Sequence, residues 1–409
     1  MKKFGLTQHR RWWDTDESPT HPFRDRNDND PEYSFFRPWN QEGGVWNHFP
    51  QFNEGCSPCH NNTEDGDEGE EDKPPVFDSF IAFGDSLSDV GNVFLNSGGT
   101  NPPSPPYFDG RFSNGPLVVE NIADRLGLDA STPFLAGGTN FAFGGARTGF
   151  GLSLLQTPNI GEQINFFLDQ VNLSSLPSPD ETDLVYLYAG GNDFLQEIEA
   201  NPTLDPEAVL EGLPEQVVEA LTGHISTLAE AGAEAFIVPN SADVSFTPFV
   251  RAAFPSAQKP ISITIEQFND LLDTRLDELE VSLDIEIVEL DVFEIFDDIL
   301  DNPESFGFVN STDPAFNQIT GMLVENPNRY VFWDNVHPTK AVSDIIFKEL
   351  RDELAELGLD AFEDDGDSED NEDDLEDNEN PVEDSDEISD EISDEISDEI
   401  SDEISDEIS

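Results

Sequence analysis

Phe80-Ile81-Ala82-Phe83-Gly84-Asp85-Ser86-Leu87-Ser88-Asp89 is the stretch that decides the fold. A short apolar run stops at Gly-Asp-Ser, and a polar, helix-starting stretch follows. We read this as a buried strand ending in a sharp turn that carries Ser86. In open α/β sheets, ligands bind beyond the carboxyl ends of the strands. A hydroxyl placed there is held by rigid elements and lies near the positive end of a helix. Serine is also a preferred helix cap, so the stretch by itself fits a cap as well as a nucleophile.

A serine nucleophile needs a base, an orienter for the base and donors for an oxyanion. Trp333-Asp334-Asn335-Val336-His337-Pro338 puts a carboxylate three residues before an imidazole. On a tight loop the Asp334 carboxylate can fold back onto Nδ1 of His337, leaving Nε2 for the Ser86 proton. Pro338 biases His337 towards extended backbone. Between residues 76 and 360 the only other histidine is His224. It sits in a strongly helical stretch and is expected to face solvent or pack locally. Two glycine-rich sites follow strand-like runs: Gly144-Gly145-Ala146 after Asn140–Phe143, and Gly190-Gly191-Asn192-Asp193 after Leu184–Ala189. Small residues let a backbone N–H approach a substrate oxygen, and the Asn192 amide can supply a second donor. Either glycine site read alone is an ordinary turn.

Continuous apolar runs at Ser79–Phe83, Thr139–Phe143, Leu184–Ala189, Ala235–Val238 and Ile285–Leu290 read as parallel strands buried on both faces. Helical spacing covers Leu117–Leu126, Gly161–Val171, Pro206–Ala231, Ile261–Leu283 and Lys340–Leu357, the last capped near Thr339. This alternation predicts a three-layer α/β/α sandwich with right-handed crossovers and a mostly parallel five-stranded sheet. The candidate sites would then gather at one edge of the sheet. Aromatic and apolar loop residues at Tyr107, Phe108, Phe112, Leu152–Leu155 and Phe246–Phe254 are expected either to line an acyl or alcohol pocket or to plug the gap between loops and core.

Taken together, these residues resemble the GDSL esterase/lipase family, also called SGNH hydrolases. The resemblance covers residues 76 to about 358. Gly84-Asp85-Ser86-Leu87 is similar to the nucleophile block. Gly144 is similar to the oxyanion glycine, with Gly145 as the runner-up. Gly190-Gly191-Asn192-Asp193 is similar to the G-x-N-D block, and Asp334-Asn335-Val336-His337 to D-x-x-H. The stretches Tyr107–Gly115 and Asn140–Thr148 look like the branch holding plant GDSL esterases and bacterial phospholipase/haemolysin-type proteins. The resemblance implies a flavodoxin-like SGNH hydrolase fold and a serine esterase or lipase acting on carboxylic, including lipid, esters. It implies a Ser86–His337–Asp334 triad, an acyl-enzyme, and an oxyanion hole formed by Ser86, Gly144 and Asn192, with no cofactor or metal. A carbohydrate O-acetylesterase is the alternative on the same scaffold. A non-catalytic acidic surface or cation-binding protein is the alternative of another class.

The chain has 409 residues and a formal net charge of −71. Residues 1–75 mix Asn, Asp, Glu, Gly and Pro without periodicity and read as a disordered N-terminal region. Residues 76–360 read as the hydrolase domain, with 47 acidic and 10 basic residues. Residues 361–409 hold 26 acidic and no basic residues and end in six Ser-Asp-Glu-Ile repeats from Ser385 to Ile408, an acidic disordered tail. So negative a domain should repel nucleic acid and anionic membranes. Such a balance fits adaptation to high ionic strength, where screening shortens to a few Å, or an ordinary acidic secreted protein. Expected partners are small-molecule or lipid esters. No stretch is apolar enough for a transmembrane helix. No apolar segment follows Met1-Lys2-Lys3, so no secretory signal is expected in this sequence, although the composition suits a secreted protein. Cys56-Ser57-Pro58-Cys59-His60 matches a c-type haem attachment spacing. Its polar surroundings cannot build a haem pocket, and a local disulfide or an incidental thiol pair is expected instead.

Overall fold

The computed structural model describes residues 77–350. The region 1–75, the Cys56–Cys59–His60 motif, the acidic repeat tail and the end of the last helix expected to run to Leu357 lie outside the described residues. In chain order the elements are β1 (Ser79–Gly84), α1 (Asn92–Asn96), α2 (Val118–Arg125), α3 (Ile160–Asn172), β2 (Asp183–Tyr188) and α4 (Gly191–Ala200). There follow α5 (Pro206–Leu210), α6 (Leu213–Ala231), β3 (Ala235–Pro239), α7 (Pro248–Ala253), α8 (Gln258–Leu283), β4 (Glu286–Leu290) and α9 (Val292–Asp301). A two-residue hairpin, β5 (Phe316–Asn317) and β6 (Met322–Leu323), precedes α10 (Lys340–Glu349).

The main sheet is parallel throughout, in the order β1-β2-β3-β4. Alternate strand side chains enter two separate cores. Ile81, Phe83, Val185, Leu187, Phe236 and Val238 pack with α3, α4, α6 and α8. Phe80, Ala82, Tyr186, Tyr188, Ile237 and Leu290 pack with α2, α9 and α10. This is the expected three-layer sandwich. Helices α3, α4, α6 and α8 cover one face of the sheet, and α2, α9 and α10 cover the other.

The sheet has four strands, not the five expected, because Thr139–Phe143 does not form a full ladder. It does run parallel beside β1: Ala82 N–H donates to Thr139 O (3.1 Å), Phe141 N–H to Ala82 O (2.7 Å) and Phe143 N–H to Gly84 O (3.1 Å). The Gly84 N–H, which would continue the ladder, instead donates to Oε1 of Gln163 at 3.0 Å, and Gln163 Nε2 donates back to Gly84 O at 2.8 Å. A side-chain amide thus takes the place of a strand residue. On the opposite side, Asn92 Nδ2 donates to Asn140 O and Ala142 O.

Two helices also differ from expectation. The long helix predicted over Pro206–Ala231 is broken, since Glu211 turns extended (ψ 122°) and Gly212 adopts φ +73°. Thr339 sits at the N-cap of α10, but its hydroxyl donates to Tyr330 O at 2.7 Å. The first N–H of α10 is accepted instead by Asn114 Oδ1 at 2.7 Å, from a loop more than 200 residues earlier. Among the described residues no helix is long and apolar enough to cross a membrane.

Candidate active site

Ser86 lies one turn beyond β1. Gly84 is required there by close approach: a Cβ at this position would come within 2.9 Å of Tyr188 O and 2.8 Å of Ser88 Oγ. The helix expected to start straight after Ser86 begins only at Asn92. Its first N–H groups, and the Gly91 N–H before them, are accepted by the buried carboxylate of Asp89 at 2.6–3.2 Å.

His337 Nε2 is 2.9 Å from Ser86 Oγ. His337 Nδ1 lies 2.8 Å from Asp334 Oδ2 and 2.9 Å from Oδ1. All three residues are buried. The loop owes its shape to the Asp334 carboxylate, whose Oδ1 also accepts the backbone N–H groups of Val336 and His337, each at 2.8 Å. Trp333 N–H closes the loop onto His337 O at 2.7 Å. Burial alone pushes the Asp334 carboxyl up, but the His337 charge and the hydrogen bonds from His337 and Tyr107 outweigh it and hold it below the usual carboxylate range. An ionised Asp334 cannot donate, so His337 must donate through Nδ1. Nε2 is left as the acceptor for the Ser86 hydroxyl.

Around this relay lie residues that the motifs did not reveal. Tyr107 donates its hydroxyl to Asp334 Oδ2 at 2.6 Å and accepts from Gln318 Nε2 at 2.5 Å. Its ring meets Phe316 and Trp333 edge-on. Asp85, next to the serine, accepts from Asn192 Nδ2 at 3.0 Å and from Leu87 N–H at 2.9 Å. Burial raises its pKa to about 6 against those hydrogen bonds and the His337 charge. Asp89 is likewise raised to about 6 by burial, opposed by four backbone N–H donors. Asp85 and Asp89 stand in the opening decapeptide, and a carboxylate just ahead of a helix is a recognisable capping signal. Tyr107 and Gln318 carry no local signal, because their partners are remote in sequence.

The glycine expected to donate to an oxyanion has a partner of its own in this fold. The Gly144 N–H is engaged by Asp89 Oδ2 at 2.9 Å. The next peptide is held from its carbonyl side, with Gly144 O accepting from the Thr157 hydroxyl at 2.7 Å and Gly145 O accepting from Gln196 Nε2 at 2.7 Å. The Gly145 N–H points away from Gly144 O across the same peptide plane, and among the described residues nothing accepts it. Gly145 has φ +79°, and a Cβ there would meet Leu155 Cδ1 at 2.3 Å. Asp193 ties this loop to α4 by accepting from Thr148 N–H (3.0 Å), the Thr148 hydroxyl (3.1 Å) and Arg147 Nε (3.4 Å). Asn192 stands in the first turn of α4, with one Nδ2 proton on Asp85 and the other unassigned.

His224 packs locally, one of the two places expected for it. It is buried in α6, with Nε2 2.7 Å from Thr148 O and its ring against Phe150. Among the described residues no three His, Cys, Asp or Glu side chains cluster as a metal site would require.

A cavity opens at Ser86, Asn192 and His337 and runs inwards. Its walls differ from the loops expected to line a pocket. Phe112 is there, stacked at a tilt 5.2 Å from the His337 ring. Tyr107 is used behind Asp334, Phe108 and Leu152–Leu155 are not part of the walls, and of Phe246–Phe254 only Thr247 contributes. The remaining walls come from the sheet, from α2, α4, α9 and α10, and from the loop after β3 (Ser241 to Val244) and the segment around His337.

The GDSL-like lipase/acylhydrolase family model matches residues 80–350. A GDSL esterase/lipase of Arabidopsis thaliana is 27% identical over 324 residues, covering 65% of this chain and 82% of the relative. The thermolabile hemolysin of Vibrio parahaemolyticus is 27% identical over 283 residues, covering 66% of this chain and 62% of the hemolysin. Among solved structures, a lipolytic G-D-S-L family protein from Veillonella parvula is similar at 14% identity and a TM-score of 0.34, over 67% of this chain and 96% of that one.

Proposed function

The chain belongs to the GDSL-like lipase/acylhydrolase family and is a serine ester hydrolase, and from that premise we propose how its residues divide the work. Ser86 Oγ attacks the ester carbonyl while His337 Nε2 takes its proton. Asp334 holds the imidazole in the required tautomer and stabilises the imidazolium. The tetrahedral oxyanion is met by the Ser86 N–H, one Nδ2 proton of Asn192 and the N–H of Gly145, three donors with no acceptor among the described residues. His337 then protonates the departing alcohol. Water, deprotonated by the same nitrogen, attacks the acyl-enzyme, and the carboxylate product leaves.

The observation that carries this reading is the unbroken hydrogen-bonded chain Ser86 Oγ–His337–Asp334, at 2.9 and 2.8 Å. We place the whole catalytic unit in residues 76–360, with the segments on either side dispensable for chemistry. A fluorophosphonate should label Ser86 in the purified protein and fail to label Ser86→Ala. Equal labelling of the two proteins, or wild-type ester turnover by Ser86→Ala, would refute the assignment. The natural substrates proposed are carboxylic esters with an aliphatic acyl group. A polysaccharide acetylester would leave the inward cavity without an occupant.

A further inference from the structure

We propose that the cavity beside Ser86 is an acyl-chain subsite that selects neutral aliphatic acyl groups of about four to six carbons; this deepens, and rests on, the serine hydrolase reading above. The cavity measures about 90 Å³. It begins at Ser86, Asn192 and His337 and continues between the sheet and the helices of the α2–α9–α10 layer. Tyr186, Tyr188, Val118, Val292, Phe296 and Ile346 are among its lining residues. Tyr186, Tyr188, Val292, Phe296 and Ile346 are all buried in the core on that face. The void is therefore an extension of the active site into the hydrophobic interior, with its mouth at the nucleophile.

Chemistry decides which half of an ester enters it. The alcohol must receive a proton from His337 and diffuse away, and water must then take its place. Both steps need an open path to solvent. The acyl group stays bonded to Ser86 Oγ throughout, so a cavity lined by buried core residues suits it and not the alcohol. The polar rim narrows the class further. Asp85 and Asp243 line the cavity and are buried, so an acyl chain carrying its own negative charge is disfavoured there. Size sets the length. An apolar cavity of about 150 Å³ holds benzene, six carbons. In proportion, about 90 Å³ holds roughly four carbons, to which the carbonyl carbon and its neighbour at the mouth are added.

The test is kcat/KM on p-nitrophenyl acetate, butanoate, hexanoate, octanoate and dodecanoate. Each methylene buried in the cavity should raise the value about fourfold, up to butanoate or hexanoate, and dodecanoate should fall well below that maximum. A flat series, a maximum at acetate or a steady rise through dodecanoate would overturn the proposal. Val292→Phe should fill the cavity and lower the hexanoate-to-acetate ratio at least tenfold; Val118→Phe reads the same ratio from the opposite wall if the first variant does not fold. A ratio equal to wild type in the folded variant places the chain elsewhere and sinks the subsite. Fluorophosphonate labelling separates the two levels. Labelled Ser86 with a flat series removes only the subsite, whereas unlabelled Ser86 removes the hydrolase assignment beneath it.

Discussion

The Tyr107 hydroxyl donates to Asp334 Oδ2 at 2.6 Å, across 227 residues of chain. Asp334 meets the imidazole with the same oxygen, so Tyr107 fixes the carboxylate that fixes the base. Hydrogen bonds to charged groups contribute roughly 1.5–3 kcal/mol. Tyr107→Phe keeps the ring contacts with Phe316 and Trp333 and removes only the hydroxyl. We expect kcat/KM to fall about tenfold or more with KM little changed, and thermal stability to drop by a few degrees at most. Unaltered kcat would show that Tyr107 acts in packing alone.

Asn192→Ala should lower kcat by about 10²–10³, the usual cost of one oxyanion donor, while circular dichroism and the melting temperature stay near wild type. The same change removes the donor to Asp85, so a large loss of stability would point to a structural role for Asn192.

Stability should fall as pH rises through about 6. Asp85 and Asp89 are raised to about 6 by burial, above the ordinary 3.9 of an unfolded aspartate. The folded state therefore binds protons more tightly than the unfolded chain, and the stability this contributes is complete below about 4 and lost above about 6. The full effect is up to about 3 kcal/mol per group. Asp334 acts in the opposite sense. Its lowered carboxyl contributes stability above about 4 that disappears as pH falls through its folded value. A melting-temperature maximum near pH 4 follows. Asp85→Asn should flatten the decline between about pH 4 and 6, and an equally steep decline in that variant would contradict this account.

Added salt should stabilise the domain. With 47 acidic and 10 basic residues across 76–360, self-repulsion opposes the compact state, and 1 M salt shortens the screening length to about 3 Å. The melting temperature and ester turnover should both rise between about 0.1 and 1 M potassium chloride. An optimum at low ionic strength would remove the case for adaptation to salt.

The parts of this protein legible in its sequence are those where chemistry acts over a few residues. Ser86 after an apolar run, Asn192 after paired glycines, and Asp334 three residues before His337 each declare themselves locally, and the four main-sheet strands follow from continuous apolar runs. What stayed hidden depends on side chains meeting from afar. Thr139–Phe143 has the composition of a strand, yet Gln163, 79 residues beyond Gly84, takes the bond that would complete its ladder. Gly144 and Gly145 are indistinguishable as letters; Asp89 and Thr157 separate them by engaging one N–H and leaving the other. Loops commonly surround sites, which is why aromatic loops are the walls that residue types suggest. The cavity instead follows the small gaps between helices and sheet, which residue types alone do not reveal.

Gln163 has an effect beyond its own neighbourhood. Thr139–Phe143 lies along the outer border of β1, and Gln163 bonds both backbone groups of Gly84 where that pairing stops, so no second molecule can add a strand there. Among the described residues the border left without a neighbouring strand is β4, whose sequence Glu286-Ile287-Val288-Glu289-Leu290 carries two carboxylates. Docking one copy's β4 against another's would bring like charges face to face. The fold thus guards itself against polymerising, with an amide plug at one margin and repulsion at the other.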